Sequence, residues 1–177
     1  KLSDSLLKRL DLTTKFDDMI DGINELLKID DPIGQTLLKR KLDEELILSK
    51  ISVPIGVIGI IFESRPDALV QIVALCLKSG NTAILKGGSE ARDTNTALFE
   101  LILKSIESIP ELNNSLHLLA SRTEVNSLLE LDNLVDLIIP RGSKELVKFI
   151  GNNTRIPVLG HADGICHVYI DEDADIK

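Results

Sequence analysis

Three short stretches gather the residues best suited to hold an anion. They are Phe62-Glu63-Ser64-Arg65-Pro66-Asp67, Lys86-Gly87-Gly88-Ser89-Glu90 and Pro140-Arg141-Gly142-Ser143, each following an apolar run. A fourth, Leu159-Gly160-His161-Ala162-Asp163-Gly164, lies late in the chain. Small residues let backbone N–H groups approach a phosphate at a helix N-terminus, and Arg65, Lys86 and Arg141 supply compensating charge. The chemistry implied is recognition of a phosphorylated ligand, a nucleotide cofactor. Each stretch alone has a plainer reading: Gly87-Gly88 as a strand-to-helix turn, Ser143 as a helix cap, Arg65 as an exposed loop charge. No G-x-G-x-x-G follows the first strand and no G-x-x-x-x-G-K-[ST] occurs, which disfavours kinase and P-loop chemistry.

Cys166 beside His167, with His161 nearby, suggests a thiol nucleophile and its base. Such a pair must lie within hydrogen-bond reach, and neighbours along a strand point to opposite faces. Cys166 therefore reads as buried filler, and Cys76, on the face of a helix, does so more strongly. The same alternation divides His161, Asp163, Cys166 and His167 as ligands, so no metal is expected. His117 reads as a strand residue.

The elements that must position these loops follow from periodicity. Leu2, Leu6, Leu7 and Leu10, then Phe16, Met19, Ile20, Ile23, Leu26 and Leu27, repeat at helical spacing. Thr14 and Asp17 resemble a capping box, and Asp31-Pro32 closes the segment. Gly34 to Leu46 is weakly periodic and fits no element well. Ile47 to Val53 alternates as a half-buried strand would. Beyond it, apolar runs at Ile55–Phe62, Thr82–Leu85, Leu116–Leu119, Leu134–Ile139 and Ile165–Ile170 read as buried strands. Helix faces lie between them: Leu69, Ile72, Val73 and Cys76; Leu98, Leu101, Ile102 and Ile106; Val125, Leu128 and Leu129; Leu146, Val147 and Ile150. This alternation predicts an α/β fold, a doubly wound and mostly parallel sheet, with a helical N-terminal lead-in. The division expected is residues 1–53 as lead-in plus strand and 54–177 as α/β core. In such sheets ligands bind outside the carboxyl ends of the strands, which is where the anion-binding stretches fall.

Composition narrows the classes. The chain has 177 residues, 44% of them hydrophobic and 27% charged, enough for a sizeable core. With 20 Lys+Arg against 28 Asp+Glu, the net charge of −8 argues against nucleic-acid binding. Aromatics at 3% leave no base-stacking platform. No apolar run approaches the ~20 residues of a membrane span, and two cysteines make no disulfide framework. A soluble cytoplasmic protein is expected. The opening Lys1, with no Met, suggests a chain beginning mid-protein or after processing.

Several stretches are similar to one family. Ile55-Gly56-Val57-Ile58-Gly59-Ile60-Ile61-Phe62-Glu63-Ser64-Arg65-Pro66-Asp67 resembles a segment of the glutamate-5-semialdehyde dehydrogenases, or γ-glutamyl phosphate reductases. So do Lys78-Ser79-Gly80-Asn81, Ile84 to Ala91, Asp136 to Ser143 and, at greatest length, Ile156 to His167. They occur in the family's order and span essentially the whole chain. The reductase half of bifunctional pyrroline-5-carboxylate synthase carries the same motifs.

The resemblance implies an aldehyde-dehydrogenase-superfamily fold and NADPH-dependent reduction of L-glutamyl 5-phosphate to glutamate 5-semialdehyde, in proline biosynthesis. It implies cofactor contacts from Glu63, Arg65, Lys86, Gly87, Gly88, Ser89, Glu90, Arg141, Gly142, Ser143 and Gly160. Lys86 would meet the adenosine ribose, and Gly142 and Ser143 the pyrophosphate. Ser89 replaces the Glu of NAD-preferring relatives, which favours NADP. Ser64 falls where relatives carry an oxyanion-donating Asn, and His161 where they carry a general-base Glu. A homo-oligomer, and a glutamate 5-kinase as partner or fusion, also follow from the family. Its nucleophilic Cys would come after Asp173-Ala174-Asp175-Ile176, so the chain reads as a cofactor-binding fragment, inactive alone and without the catalytic domain. A non-catalytic nucleotide-binding or interaction module is the rival reading.

Overall fold

The computed structural model describes residues 3–160, 167–171 and 173–174. It opens with two helices, α1 (Asp4–Leu10) and α2 (Phe16–Lys28). Ser3 caps α1 by accepting from the Leu6 N–H at 3.3 Å. The capping box expected at Thr14 and Asp17 does not form. Lys15 is the N-cap of α2 and has no side-chain capping bond. The neighbouring Asp11 carboxylate instead takes the Thr13 N–H and hydroxyl at 2.9 and 2.6 Å, an Asx-type turn that uses up the local polar groups.

The segment that periodicity left unplaced is half of a hairpin. β1 (Thr36–Asp43) pairs antiparallel with β2 (Leu46–Ile51), and every residue of both strands is exposed. The half-buried strand expected at Ile47–Val53 is thus an exposed one, because neither face of this ribbon is covered by the rest of the chain.

The second sheet holds the core. Its strands are β3 (Val57–Phe62), β4 (Thr82–Lys86), β5 (Leu116–Leu118) and β6 (Leu137–Arg141), ordered β5-β4-β3-β6 and all parallel. α3 (Pro66–Lys78) and α4 (Arg92–Ile106) connect the first three strands; α5 (Arg122–Leu129) leads to β6, and α6 (Lys144–Asn152) follows it. Alternation along β3 explains the two layers. Ile58, Ile60 and Phe62 pack with Leu69, Val73, Cys76 and Phe99 on one face. Ile61 packs with Val125, Leu128, Ile138 and Ile150 on the other. Pro140, which cannot donate to a ladder, sits on the outer strand β6.

Two expectations need correction. Leu101 belongs to α4 but is exposed, and the buried positions there are Asn95 and Phe99. No strand forms over His167–Ile170, where Val168 and Tyr169 are over 80% exposed. The free edge of β6 is taken instead by residues 157–159: the Ile138 N–H donates to Pro157 and the Leu159 N–H to Ile138, both at 2.9 Å. Ile165 and Cys166 lie outside the described residues. No described helix is long and apolar enough to cross a membrane.

The junction feeding β3 and β4 is pinned by Asn81. α3 ends with the Gly80 N–H bonded to Leu77 and the Asn81 N–H to Cys76, the glycine at φ +67°. The buried Asn81 side chain then accepts from the Ile55 and Gly56 N–H groups at 2.7 and 2.9 Å and donates to the Ser79 carbonyl and hydroxyl. Removing it breaks two part-buried bonds to backbone donors, at about 0.5–1.5 kcal/mol each. Asn81→Ala is therefore expected to lose about 1–3 kcal/mol of stability in urea denaturation with the m-value unchanged.

Candidate functional site

The strand order reverses at β3: β4 lies on one side of it and β6 on the other. That switch opens a crevice beyond the carboxyl ends of the strands. Two clefts flank it, sharing Phe62, Glu63 and Ser143 as a common ridge.

The first cleft, about 880 Å³, lies over the ends of β3, β4 and β5 and against α6. Lys86, Arg92 and Arg122 line it, together with Gly87, Gly88, Ser89 and Glu90, and Val125, Leu146 and Phe149 form an apolar wall. The Lys86 ammonium folds back to the Gly87 carbonyl. Burial holds its pKa below the usual lysine range; Arg92 and Arg122 push the same way, while Glu90 and Glu124 oppose them. Burial, more than the neighbouring arginines, weakens the hold of Lys86 on its proton, and an anion in the cleft would oppose both effects.

Glu90 reaches back over the loop to Ser64. Its carboxylate accepts from the Ser64 N–H at 2.7 Å and the Ser64 hydroxyl at 2.8 Å. Ser64 takes a left-handed φ of +50°, uncommon for a residue with a side chain, which aims both donors at that carboxylate. Burial alone would raise the Glu90 pKa, but the Glu90 N–H, both Ser64 donors and Lys86 hold it below the usual carboxylate range. Glu90 therefore contributes stability above about pH 4.5, and this is lost as pH falls through the lowered native pKa. Acid unfolding of wild type and Glu90→Gln should therefore converge at low pH and diverge above it.

Glu63 makes the matching contact on the other side. Its carboxylate accepts from the Ser143 N–H at 3.0 Å, at the start of α6. Ser143 is also the N-cap, its hydroxyl accepting from the Leu146 N–H at 3.3 Å, as the sequence predicted. Gly142 permits this closeness, since a Cβ there would lie 2.5 Å from Glu63 Oε2.

The second cleft, about 1030 Å³, opens over β3 and β6 on the α3 side. Ser64, Arg65, Arg141 and Gly142 line it, and α1 with the loop after it adds Lys8, Arg9 and Lys15. Asp67 ties this wall together, accepting from Lys15 at 3.2 Å and Arg65 at 3.1 Å. Burial would raise its pKa, but these two cations hold it low.

The residues singled out by sequence thus divide. Lys86, Gly87, Gly88, Ser89 and Glu90 line the first cleft; Ser64, Arg65, Arg141 and Gly142 line the second; Glu63 and Ser143 belong to both. Gly160 lines neither and sits against Val147. His161, Asp163 and Cys166 lie outside the described residues, and among the described residues no cluster of three metal-ligating groups occurs. Cys76 is buried, and burial raises its thiol pKa. Sequence reasoning missed Arg92, Arg122 and Phe149. Applying the strand-end rule to β5 as well would have found Arg122 in Ala120-Ser121-Arg122.

No family model matches the chain. It is 59% identical to a gamma-glutamyl phosphate reductase of Acetivibrio thermocellus, over 99% of this chain and 41% of that protein. The solved gamma-glutamyl phosphate reductase of Thermotoga maritima superposes with a TM-score of 0.89 at 37% identity, covering 98% of this chain and 43% of that one. The Saccharomyces cerevisiae enzyme gives 0.83 at 45% identity, covering 99% and 45%. A NAD-dependent benzaldehyde dehydrogenase of Corynebacterium glutamicum shares the fold at TM-score 0.63 and 17% identity, over 83% and 33%. The chain spans about two fifths of the length of the curated relatives it matches. Across almost all of its own length, then, this chain is similar to the gamma-glutamyl phosphate reductases, and it carries an aldehyde-dehydrogenase-like α/β fold.

Proposed function

We propose that this chain supplies the NADP(H)-binding part of an enzyme that reduces L-glutamyl 5-phosphate to L-glutamate 5-semialdehyde with release of phosphate. The convergence of Lys86, Arg92 and Arg122 in one cleft, in a chain so similar to reductases of that substrate, carries the reading. The donor set fits the cofactor: three cations suit a ribose phosphate, and Phe149 with Val125 and Leu146 gives an apolar wall for a planar base. When bound, the cofactor supplies the hydride.

The residues of this chain bind, orient and carry protons. Lys86 and Arg122 hold the ribose end, and Gly142 and Ser143 approach the pyrophosphate at the start of α6. Arginine suits the 2′-phosphate because its fork of donors stays charged at any working pH. The Ser64 hydroxyl now donates to Glu90; to stabilise an oxyanion it must turn from that carboxylate into the second cleft, which Ser64 also lines. His161 is assigned proton transfer, for which an unperturbed pKa of ~6.5 is suited. The apolar side chains exposed on β1 and β2 support a homo-oligomeric intact protein. The chain by itself is expected to bind cofactor without turning over substrate: Cys76 is buried with a raised thiol pKa, and Cys166, outside the described residues, reads from sequence as buried filler.

Fluorescence titration with NADPH and NADH tests the assignment. Arg122→Ala should weaken NADPH about tenfold while leaving NADH nearly unchanged, because 1.4 kcal/mol is one decade and a close charge pair near a protein surface is worth that much. Ser89→Glu should shift the ratio the same way by adding a carboxylate to the cleft. An unchanged NADPH-to-NADH ratio in both variants would remove the 2′-phosphate from this cleft.

A further inference from the structure

We infer that the second cleft is a separate anion site for the charged groups of the substrate, and that α1 forms part of it. This rests on the reading of the substrate above as a phosphorylated amino acid. Lys8, Arg9, Lys15, Arg65 and Arg141 converge on this cleft, opposed within its lining by Glu63 alone, on a chain whose net charge is −8.

The acidic groups nearby do not cancel this field. Asp67 binds Lys15 and Arg65 at one edge, holding them in place, and Glu63 is turned to the Ser143 N–H. Lys15 is fixed again by donating to the Arg9 carbonyl at 2.6 Å. Among the described residues Lys8, Arg9 and Arg141 have no carboxylate within ion-pair distance. Lysine and arginine in the last turn of a helix commonly complement its dipole, but that role needs no cleft and no Arg65 or Arg141 opposite. A concave wall of one sign concentrates ligands of the other. The cleft also borders Ser64, so a carbonyl held near that hydroxyl would direct its anionic substituents toward α1 and Arg141. The ligand class is a small molecule bearing a phosphate and a carboxylate.

The test uses the 177-residue chain, with inorganic phosphate as probe at constant ionic strength set by chloride. Backbone amide shifts at residues 8, 9, 15, 65 and 141 should titrate saturably with phosphate. Lys8→Glu combined with Arg9→Glu should weaken that binding at least tenfold while NADPH affinity is unchanged. α1 contributes no buried residue, so the double variant should fold; Arg141→Gln provides a second, independent reading with the same expected loss. L-Glutamate, which lacks the phosphate, separates the two anionic ends: it displaces phosphate if the cleft takes carboxylates equally, and leaves it bound if the site is the phosphoryl group's. Phosphate binding unaltered in both variants, or no saturable binding above the chloride control, would overturn the inference. So would an equal loss of NADPH affinity, because the two clefts would then be one site. If the wild-type chain binds phosphate here but not NADPH, the cofactor reading fails and this site stands.

Discussion

Glu63→Gln is expected to tighten nicotinamide dinucleotide binding between ten- and a hundredfold. In the structure the Glu63 carboxylate accepts the Ser143 N–H at the start of α6, the place proposed above for the pyrophosphate. A helix N-terminus attracts an anion through its unpaired donors and its dipole, and here the protein's own side chain has taken that place. A cofactor arriving there must displace the carboxylate or tolerate it. At ~5 Å and an effective dielectric between those of a protein surface and water, each like-charge contact costs about 1–3 kcal/mol. Glutamine keeps the size and an accepting carbonyl, so the cap on α6 survives while the repulsion goes. Because the pyrophosphate is common to both cofactors, NADPH and NADH should tighten equally, which separates this effect from those of Ser89→Glu and Arg122→Ala. Titration of both cofactors against wild type and Glu63→Gln is the measurement. Affinity unchanged or weakened would mean that bound cofactor leaves the helix terminus to Glu63.

Gly56→Ala should cost more in stability than any other single change considered. Gly56 has φ +125°, a conformation that side chains rarely adopt, and a Cβ there would run into the Asp136 carboxylate. Asp136 cannot retreat freely. Its Oδ2 accepts from the Val57 N–H at 2.8 Å while its own N–H donates to Val57 at 2.9 Å, joining β3 to the approach of β6. Backbone strain of about 1–3 kcal/mol adds to the lost bond from the Val57 N–H to the exposed Asp136 carboxylate, about 1.5–3 kcal/mol for a hydrogen bond to a charged group. The expected loss is about 3–5 kcal/mol, a large part of a typical domain's stability and roughly 10 °C or more in Tm at this size. A melt within about 2 °C of wild type would show that the β3 entry relaxes without strain.

What could be read from the sequence followed physical regularity. α3 was legible because Leu69, Val73 and Cys76 bury one stripe, and β3 because a strand covered on both faces is apolar throughout. Of the β1–β2 hairpin, β2 was legible in the alternation of Ile47, Ser49 and Ile51, though not its exposure; β1 was not, because neither of its faces is buried and its sequence keeps no regular alternation. His167–Ile170 looked like a strand by composition, yet β6 had already given its edge to residues 157–159. The strand-end loops marked the site correctly in kind, but not its division. That Arg65 and Lys86 face different clefts depends on which helix covers which side of the sheet. Lys8 and Arg9 look like ordinary helix-end charges until α1 is placed beside Arg141. The contacts of Glu63 with α6 and of Glu90 with Ser64 join residues 80 and 26 positions apart, and no local pattern announces them.

Those same separations bear on the order in which the molecule can assemble. The β3–α3–β4 unit closes over short loops, whereas β6 reaches β3 only after a stretch of some eighty residues has been gathered in, as the pairing of Ile58 with Leu137 shows. Chains that depend on such distant pairings search longer before they gain anything from them. The ridge of Glu63 and Ser143 joins the end of β3 to the start of α6, so both clefts come into being at that late closure and neither exists in a half-folded chain. Occupancy of either cleft therefore reports that the last strand has docked, and a ligand held there stabilises only chains in which that pairing is made.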